Sequence, residues 1–135
     1  MVKVAIVGSS GGKLDSYEKF GAMKAIVKIM KEYQNPTLIS GRSPLGGVDV
    51  IAEMYADEYK IPKLIFPPVT ENWEGYKNRN LAIAAECDVL YCITTRRKKI
   101  FCYHCKDGFH EKSGGCWTMK KAKEMGKPTK LIVLH

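Results

Sequence analysis

Residues 2–12 read VKVAIVGSSGG, a continuous apolar run with one lysine that is followed by five small residues. An apolar run of this length, bounded by glycine, predicts a buried strand. The glycines and serines that follow predict a loop. The stretch therefore predicts a strand whose carboxyl end opens directly into a small-residue loop.

Predicted helices and strands alternate along the rest of the chain. Asp15 and Glu18 have the spacing of a helix-starting capping box, and apolar residues at helical spacing follow until Asn35-Pro36. Further strands are predicted at 37–40, 63–66, 88–94 and 130–134, and further helices at 48–59, 73–86 and 117–125. Alternation without an obvious hairpin predicts an α/β, Rossmann-like fold, with a mainly parallel five-stranded sheet and helices on both faces. Because no linker or repeat divides the chain, residues 1–135 are expected to form one domain.

The composition limits the classes of partner. The 135 residues include five cysteines and carry a formal net charge of +8. No segment resembles a signal peptide or a membrane span, so a cytoplasmic protein without a membrane partner is expected. In a reducing compartment, cysteines favour metal binding or burial over disulfides. The positive charge fits an anionic partner or a lysine-rich solvated surface, and Arg96-Arg97-Lys98-Lys99 is its densest run.

Three small-residue loops follow predicted strands, with sequences GSSGG at 8–12, SGRS at 40–43 and SGG at 113–115. The carboxyl ends of parallel strands meet at one edge of a sheet, where ligands bind. Glycine lets a backbone approach a ligand closely, and the helix N-termini after the second and last loops favour an anion. The loops therefore predict a phosphate or carboxylate site, with a charge-assisted contact from Arg42. The first loop is not GxGxxG and no acidic residue ends the second strand, which disfavours NAD-type redox chemistry.

Three segments, in order, resemble elements of the SLOG superfamily. Residues 40–49 (SGRSPLGGVD) resemble its SGxxxGxD element, residues 73–80 (WEGYKNRN) its RN element, and residues 113–118 (SGGCWT) its phosphate-binding GGT helix start. The superfamily includes the DNA-processing protein A domain, the Lonely-guy cytokinin phosphoribohydrolases and small single-domain nucleotide sensors, the branch that this chain resembles most. The resemblance implies a Rossmann-like domain that binds a nucleotide or a nucleotide derivative. Members of the superfamily often self-associate, so a homo-oligomer is among the expected partners.

The loops and the resemblance together point to one set of ligand-binding residues. These are Gly8, Ser9, Ser10, Ser40, Gly41, Arg42, Gly46, Gly47, Asp49, Arg79, Asn80, Gly114, Gly115 and Thr118. Trp73 and Tyr76 fit either core packing or stacking on a base.

The Lonely-guy hydrolases use a PGGxGTxxE motif whose glutamate assists cleavage of a glycosidic bond, but aligning Thr118 on its threonine puts Lys121 at the glutamate position. Binding is therefore the leading interpretation. Hydrolysis of the N-glycosidic bond of a nucleoside monophosphate is the alternative, with Asp49 or Glu53 as a substitute carboxylate.

Residues 102–116 read CYHCKDGFHEKSGGC and contain three cysteines and two histidines. Cys102, Cys105, His110 and Cys116 provide three thiolates and one imidazole, a set that suits tetrahedral Zn²⁺. Their spacing is similar to the retroviral zinc knuckle C-x2-C-x4-H-x4-C with one residue added. Because the segment has no apolar core of its own, residues 96–116 are predicted to form a zinc-binding insertion loop. Four protein ligands leave no open position, so the ion is expected to be structural.

Other uses of these cysteines stay open at this point. They could be free and partly buried, and His104 is a reserve ligand. A thioredoxin-like role for the C-x2-C pair is disfavoured because Cys102 follows a basic loop rather than a strand. Cys87 and Cys92 are predicted to be buried as small hydrophobic residues. A third function, nucleic-acid binding, would use the basic run at 96–99 together with this knuckle.

Overall fold

The computed structural model describes residues 2–42, 46–96, 102–105, 110 and 113–134. Five strands form one sheet in which every neighbouring pair is parallel. The strands are β1 Lys3–Gly8, β2 Thr37–Ser40, β3 Lys63–Ile65, β4 Val89–Thr95 and β5 Thr129–Leu134, and the helices are α1 Ser16–Lys31, α2 Val48–Glu58, α3 Trp73–Glu86 and α4 Gly114–Glu124. The predicted α/β, Rossmann-like, five-stranded fold is confirmed.

The order of strands in the sheet is β3-β2-β1-β4-β5. The chain therefore moves outward from β1 to β3 and then returns to the other side of β1 to form β4. The register pairs Ile6 with Tyr91 and Gly8 with Ile93, so β1 and β4 end side by side. This reversal of strand order opens a crevice above the carboxyl ends of β1 and β4, where open parallel sheets bind ligands.

Two separate apolar clusters show that helices cover both faces of the sheet. One cluster combines residues of β1 with α1 and α2, including Ile6, Ile26 and Ala52. The other combines the opposite side of β1 with α3 and α4, including Ala5, Ile83 and Met119. Successive side chains of β1 point to opposite faces, which explains why this strand reads as a continuous apolar run.

The predicted boundaries agree with the structure to within about two residues, the usual uncertainty of helix and strand ends, except at the end of α1 and the start of α4. The first helix was predicted to run to Asn35-Pro36, but it ends at Lys31. The α4 helix was predicted to begin at residue 117, but it begins at Gly114. The Ser113 side chain accepts a hydrogen bond from the Cys116 amide and caps the helix, which therefore begins three residues before the predicted start. The two glycines therefore belong to the first helical turn. At α1, the capping box of Asp15 and Glu18 is confirmed.

Several features predicted from the sequence lie outside the described residues. They include residues 43–45 of the second loop, residues 97–99 of the basic run, and residues 97–101, 106–109 and 111–112 of the predicted insertion. Among the helices that the structure describes, none is long and apolar enough to cross a lipid bilayer.

Candidate ligand cavity and metal cluster

A cavity of about 240 Å³ lies at the carboxyl edge of the sheet, where the first loop, α2, α3 and the start of α4 meet. Its lining combines small loop residues, polar side chains and two aromatic rings: Val7, Gly8, Ser10, Gly46, Asp49, Trp73, Tyr76, Arg79, Asn80, Ile83, Ser113, Gly114, Gly115 and Thr118. Most of the predicted ligand-binding residues are therefore brought together around one space.

Two glycines allow the loops to approach each other closely. An ideal Cβ on Gly115 would lie 2.6 Å from the backbone nitrogen of Gly8 and 2.7 Å from its Cα. A Cβ on Gly47 would lie 2.6 Å from the nitrogen of Gly11, and Gly47 also has a φ of 96° that disfavours other residues. Backbone therefore packs directly on backbone at both junctions, and Gly8 and Gly115 themselves line the cavity.

Arg79 is held in a fixed position beside the cavity. Its Nη1 donates to the Gly41 carbonyl, and its Nε donates to Asn80 Oδ1 at 2.7 Å. A larger residue at position 41 would collide with the Arg79 side chain, because a Cβ there would lie 2.9 Å from Cδ and Cζ of Arg79. Burial lowers the pKa of Arg79, while the nearby carboxylate of Asp49 opposes this shift. Among the described residues, these hydrogen bonds use two of the five guanidinium N–H groups, and the other three could donate to an anion.

Asn80 and Thr118 differ in what they can offer a ligand. Asn80 is 6% exposed, and its Oδ1 is already bonded to Arg79. Among the described residues, no group accepts a hydrogen bond from its amide nitrogen, which faces Gly114. Thr118 is fully buried and donates its hydroxyl proton to the Gly114 carbonyl at 2.9 Å. Asn80 therefore supplies free N–H donors, whereas the Thr118 hydroxyl can only accept a hydrogen bond from a ligand while it donates to the Gly114 carbonyl.

Five of the predicted ligand-binding residues do not line the cavity: Ser9, Ser40, Gly41, Arg42 and Gly47. Ser9 and Ser40 are buried, with Ser9 Oγ 3.1 Å from Thr94 Oγ1 and Ser40 Oγ donating to the Asp49 carbonyl. Together with Gly41 and Gly47, they support the loops rather than face the space that the loops enclose.

Arg42 and Glu53 form an ion pair outside the cavity. Arg42 Nη2 lies 2.8 Å from Glu53 Oε1, and Lys63 Nζ lies 3.4 Å from the same oxygen. The hydrogen bond from Arg42 lowers the pKa of the Glu53 carboxyl despite its burial. Glu53 is therefore a paired structural carboxylate, and Asp49 is the substitute carboxylate that lines the cavity.

The two aromatic rings that line the cavity come from α3. Trp73 is 58% exposed and packs edge-to-face on Trp117, with ring centroids 5.3 Å apart. Tyr76 lies beneath the Arg79 guanidinium, 5.5 Å from its centre. Of the two interpretations offered by the sequence, the core-packing one does not fit Trp73.

The cavity is also lined by three residues that were not predicted from the sequence: Ser113, Val7 and Ile83. The helix cap at Ser113 is the signal that could have identified Ser113.

The predicted metal-binding residues form one cluster next to this cavity. Ligand atoms of Cys102, Cys105, His110 and Cys116 all lie within 4.8 Å of one another. In a tetrahedral zinc site with Zn–S bonds of about 2.3 Å, sulfur atoms are about 3.8 Å apart, so the cluster needs only a small contraction. His110 is 1% exposed, and its Nε2 has no hydrogen-bond partner among the described residues. A buried nitrogen without a partner beside three thiols fits a metal ligand.

The surroundings of the cluster stabilise a thiolate at Cys116. Hydrogen bonds from the Cys92 thiol and then from Ser113 lower the pKa of Cys116 to about 4. Burial raises the pKa of Cys105. Cys87 and Cys92 are fully buried in the core, as predicted, and no disulfide joins any of the five cysteines. Cys92 additionally contacts the cluster, which its place in a strand pattern did not indicate.

A second cavity, of about 610 Å³, lies on the other flank of α3. It is lined by the end of β3 and the segment after it, including Phe66 and Val69, and by residues of α3, including Asn78 and Ala82. Arg79 borders both cavities.

Comparison with known proteins identifies a related fold. Among solved structures, the chain is similar to DNA processing protein A from Helicobacter pylori, with a TM-score of 0.61 and 18% sequence identity. The match covers 96% of this chain and 64% of that chain, so the chain spans less than two thirds of that protein. That structure was described for its mode of binding single-stranded DNA. No protein-family profile and no curated protein matches the sequence. At this identity, the similarity establishes the fold alone.

Proposed function

We propose that the chain is a SLOG-like protein that binds a nucleotide or nucleotide derivative through its phosphate at the carboxyl edge of the sheet. The observation that supports this most strongly is the convergence of Ser10, Gly46, Asn80 and Gly114 around one cavity beside Arg79. Backbone N–H groups at the start of α4, the free amide of Asn80 and the remaining guanidinium donors all favour a negative charge.

The residues that line the cavity favour a ligand with an aromatic base. Trp73 lines one side of the cavity and the start of α4 lines another. A phosphate at α4 would leave an attached base near the exposed indole, where stacking on an aromatic ring contributes about 1–3 kcal/mol per base. The proposed ligand is therefore a nucleoside phosphate rather than a sugar phosphate.

Two isosteric substitutions on the same helix test the proposal. Asn80→Asp replaces the free amide donors of the cavity with carboxylate oxygens, whereas Asn78→Asp makes the same charge change at an exposed residue outside this cavity. By calorimetric titration with 5′-AMP and 5′-GMP, we expect Asn80→Asp to weaken binding at least about tenfold, because a buried charge faces the phosphate. Asn78→Asp should change affinity less than about twofold, because long-range effects of exposed charges are screened by salt. Absence of binding by any nucleoside mono-, di- or triphosphate, or equal effects of the two variants, would reject the proposal.

We also propose that Cys102, Cys105, His110 and Cys116 hold a structural Zn²⁺. The ion would supply a fixed tetrahedral junction, and its four protein ligands would leave no position for a reacting water. Native mass spectrometry should find one zinc per chain in the wild type and in Cys87→Ser, a control that replaces a buried thiol remote from the cluster. Cys102→Ser should lose the ion. A wild-type chain that takes up no zinc, and whose melting temperature is unchanged by a chelator, would contradict the site.

Single-stranded nucleic acid is a second candidate ligand. The structural neighbour is described as binding single-stranded DNA, and this chain has a formal net charge of +8. A strand would place one phosphate at α4 and extend its backbone toward other positively charged residues of the chain. Fluorescence anisotropy with a labelled oligothymidylate should then show micromolar or tighter binding that weakens steeply with salt and is reduced by Asn80→Asp. If Asn80→Asp does not weaken oligonucleotide binding, the oligonucleotide binds at a site other than the cavity.

A hydrolase is a third candidate because Asp49 lines the cavity. Its carboxylate would accept a proton from a water molecule that attacks the glycosidic carbon of a nucleoside monophosphate, and the free base would leave as the carbon–nitrogen bond breaks. Asp49→Asn should then abolish release of free base from 5′-AMP while nucleotide binding persists. If the wild-type protein binds 5′-AMP and releases no adenine, the chain is a binding protein for this ligand.

A further inference from the structure

The first turn of α4 contributes consecutive residues to the cavity and to the metal cluster. Gly114 and Gly115 line the cavity, Cys116 belongs to the cluster, and Thr118 again lines the cavity. These positions share one helical turn, so none of them can shift independently of the others. A displacement of the Cys116 backbone therefore also moves the backbone N–H groups of α4 that face the ligand.

Hydrogen bonds at the helix cap strengthen this connection. Ser113 Oγ accepts from the Cys116 amide at 3.3 Å and lies 3.5 Å from its sulfur, to which it donates. Ser113 also lines the cavity. The same hydroxyl thus fixes the start of the helix, contacts a metal-binding sulfur and faces the ligand space.

A second connection runs through the aromatic pair. Trp117 directly follows Cys116 and packs edge-to-face on Trp73 at an interplanar angle of 77°. Trp73 lines the cavity from the opposite helix. A rotation of the first turn of α4 would therefore also displace the indole on which a base would stack.

The other three cysteine and histidine ligands come from a separate segment of the chain. Cys102 and His110 are buried against the core and Cys105 is half-buried, all ahead of α4 in sequence. A metal ion that joins this segment to Cys116 adds its binding free energy to the folded arrangement of both. The start of α4 is then fixed from two directions, by the ion on one side and by the packing of Gly115 on Gly8 on the other.

From this juxtaposition we infer that Cys116 is a positioning residue for the cavity, so that Zn²⁺ in the cluster raises the affinity of the cavity for a nucleotide. This inference rests on the proposed function of the cavity. Coupling between sites is reciprocal, so the nucleotide raises the affinity for Zn²⁺ by the same factor. Coupling of this kind ordinarily amounts to about 5–150-fold, and the shared helical turn leads us to expect about tenfold or more.

The experiment measures both directions of the coupling on the full chain. Calorimetric titration gives the Kd for 5′-AMP in the zinc-loaded protein, in the protein stripped with a chelator, and in Cys102→Ser, which removes a ligand outside α4. Competition with a chelating dye gives the Kd for Zn²⁺ with and without saturating 5′-AMP. We expect a nucleotide Kd at least about tenfold higher in the stripped and Cys102→Ser proteins, an equal change in the Zn²⁺ Kd, and Cys87→Ser indistinguishable from wild type.

Two further readouts keep the inference separate from the proposed function. Both tryptophans of the chain lie at this junction, so zinc should change intrinsic fluorescence without any nucleotide. Zinc should also slow amide hydrogen exchange at residues 114–118 at least tenfold. If no nucleotide binds but zinc produces both changes, the proposed function fails and the positioning role stands. If zinc binds while exchange, fluorescence and nucleotide affinity stay unchanged, or if zinc does not bind, the inference is overturned.

Discussion

Replacement of Gly115 by alanine tests the packing of the first turn of α4 on the end of β1. The added Cβ would lie 2.6 Å from the Gly8 nitrogen and 2.7 Å from its Cα, and 3.2 Å from the Cys92 sulfur. The two closest atoms belong to the backbone of a central strand, so α4 has to move. Overpacking of this kind costs about 1–3 kcal/mol. The gain in helix propensity from glycine to alanine, about 1 kcal/mol at most, offsets only part of this cost.

The neighbouring glycine provides a matched control. Among the atoms that the structure describes, a Cβ on Gly114 would meet only the Asn80 amide nitrogen, at 3.9 Å, which is an ordinary contact. Gly114→Ala is therefore expected to leave the free energy of unfolding unchanged or to raise it by up to about 1 kcal/mol. For a chain of 135 residues, 1 kcal/mol corresponds to about 3–4 °C in Tm.

The assay is thermal and urea unfolding, followed by circular dichroism, of both variants beside the wild type. Both variants gain the same helix propensity and only Gly115→Ala adds the overpacking, so we expect its Tm to lie about 3–10 °C below that of Gly114→Ala, which should match or slightly exceed the wild type. Since the Cys116 sulfur moves with this turn, Gly115→Ala should also weaken Zn²⁺ binding. Equal stability of the two variants would refute the direct packing of α4 on the end of β1.

Three more perturbations follow from the same geometry. Glu53→Gln should cost about 1–2 kcal/mol at pH 7, because it removes charge-assisted hydrogen bonds to Arg42. Since the folded state holds the pKa of Glu53 below its ordinary value, this contribution is present above the unfolded pKa near 4.5 and is lost as pH falls through the folded value. Urea titrations should therefore show the difference between the wild type and the variant shrinking as pH falls below 4.5, and a difference that does not shrink would contradict the pairing. Trp73→Ala should weaken 5′-AMP binding about fivefold or more in calorimetry while inorganic phosphate binding is unchanged, and equal losses for both would exclude stacking. Gly41→Ala should displace the guanidinium of Arg79 and weaken the binding of 5′-AMP and of inorganic phosphate to the same extent. Unchanged affinities would show that Arg79 does not contribute to binding.

The sequence was sufficient for the fold because its strands are apolar runs and its helices have clear starts and stops. Asp15 with Glu18 begins α1 as predicted, and the strand ends bring the small-residue loops to one edge. The start of α4 was misplaced because Ser113-Gly114-Gly115 reads as a loop, whereas the cap at Ser113 and the packing on Gly8 favour helix. Helix propensity alone cannot show that a glycine is needed for a close backbone approach.

The candidate site was less predictable than the fold because side-chain directions depend on tertiary partners. Arg42 follows a strand as an anion-binding residue would, but the burial of Glu53 nearby gives it an internal partner. The donor that borders the cavity is Arg79, whose position depends on the carbonyl of Gly41, 38 residues earlier in the chain. The proximity of Cys102, Cys105, His110 and Cys116 could be predicted from spacing and residue type, since all four residues named from the sequence come together.

The central claim is that the carboxyl edge of the sheet binds a nucleotide phosphate. Two-dimensional amide NMR of the zinc-loaded protein, titrated with 5′-AMP, tests it most directly. The account predicts saturable shifts at the amides of Ser10, Gly46, Gly114 and Gly115 and at the Asn80 side chain, together with a shift of the Trp73 indole. Shifts confined to other surfaces, or no saturable shift with any nucleoside phosphate, would contradict it.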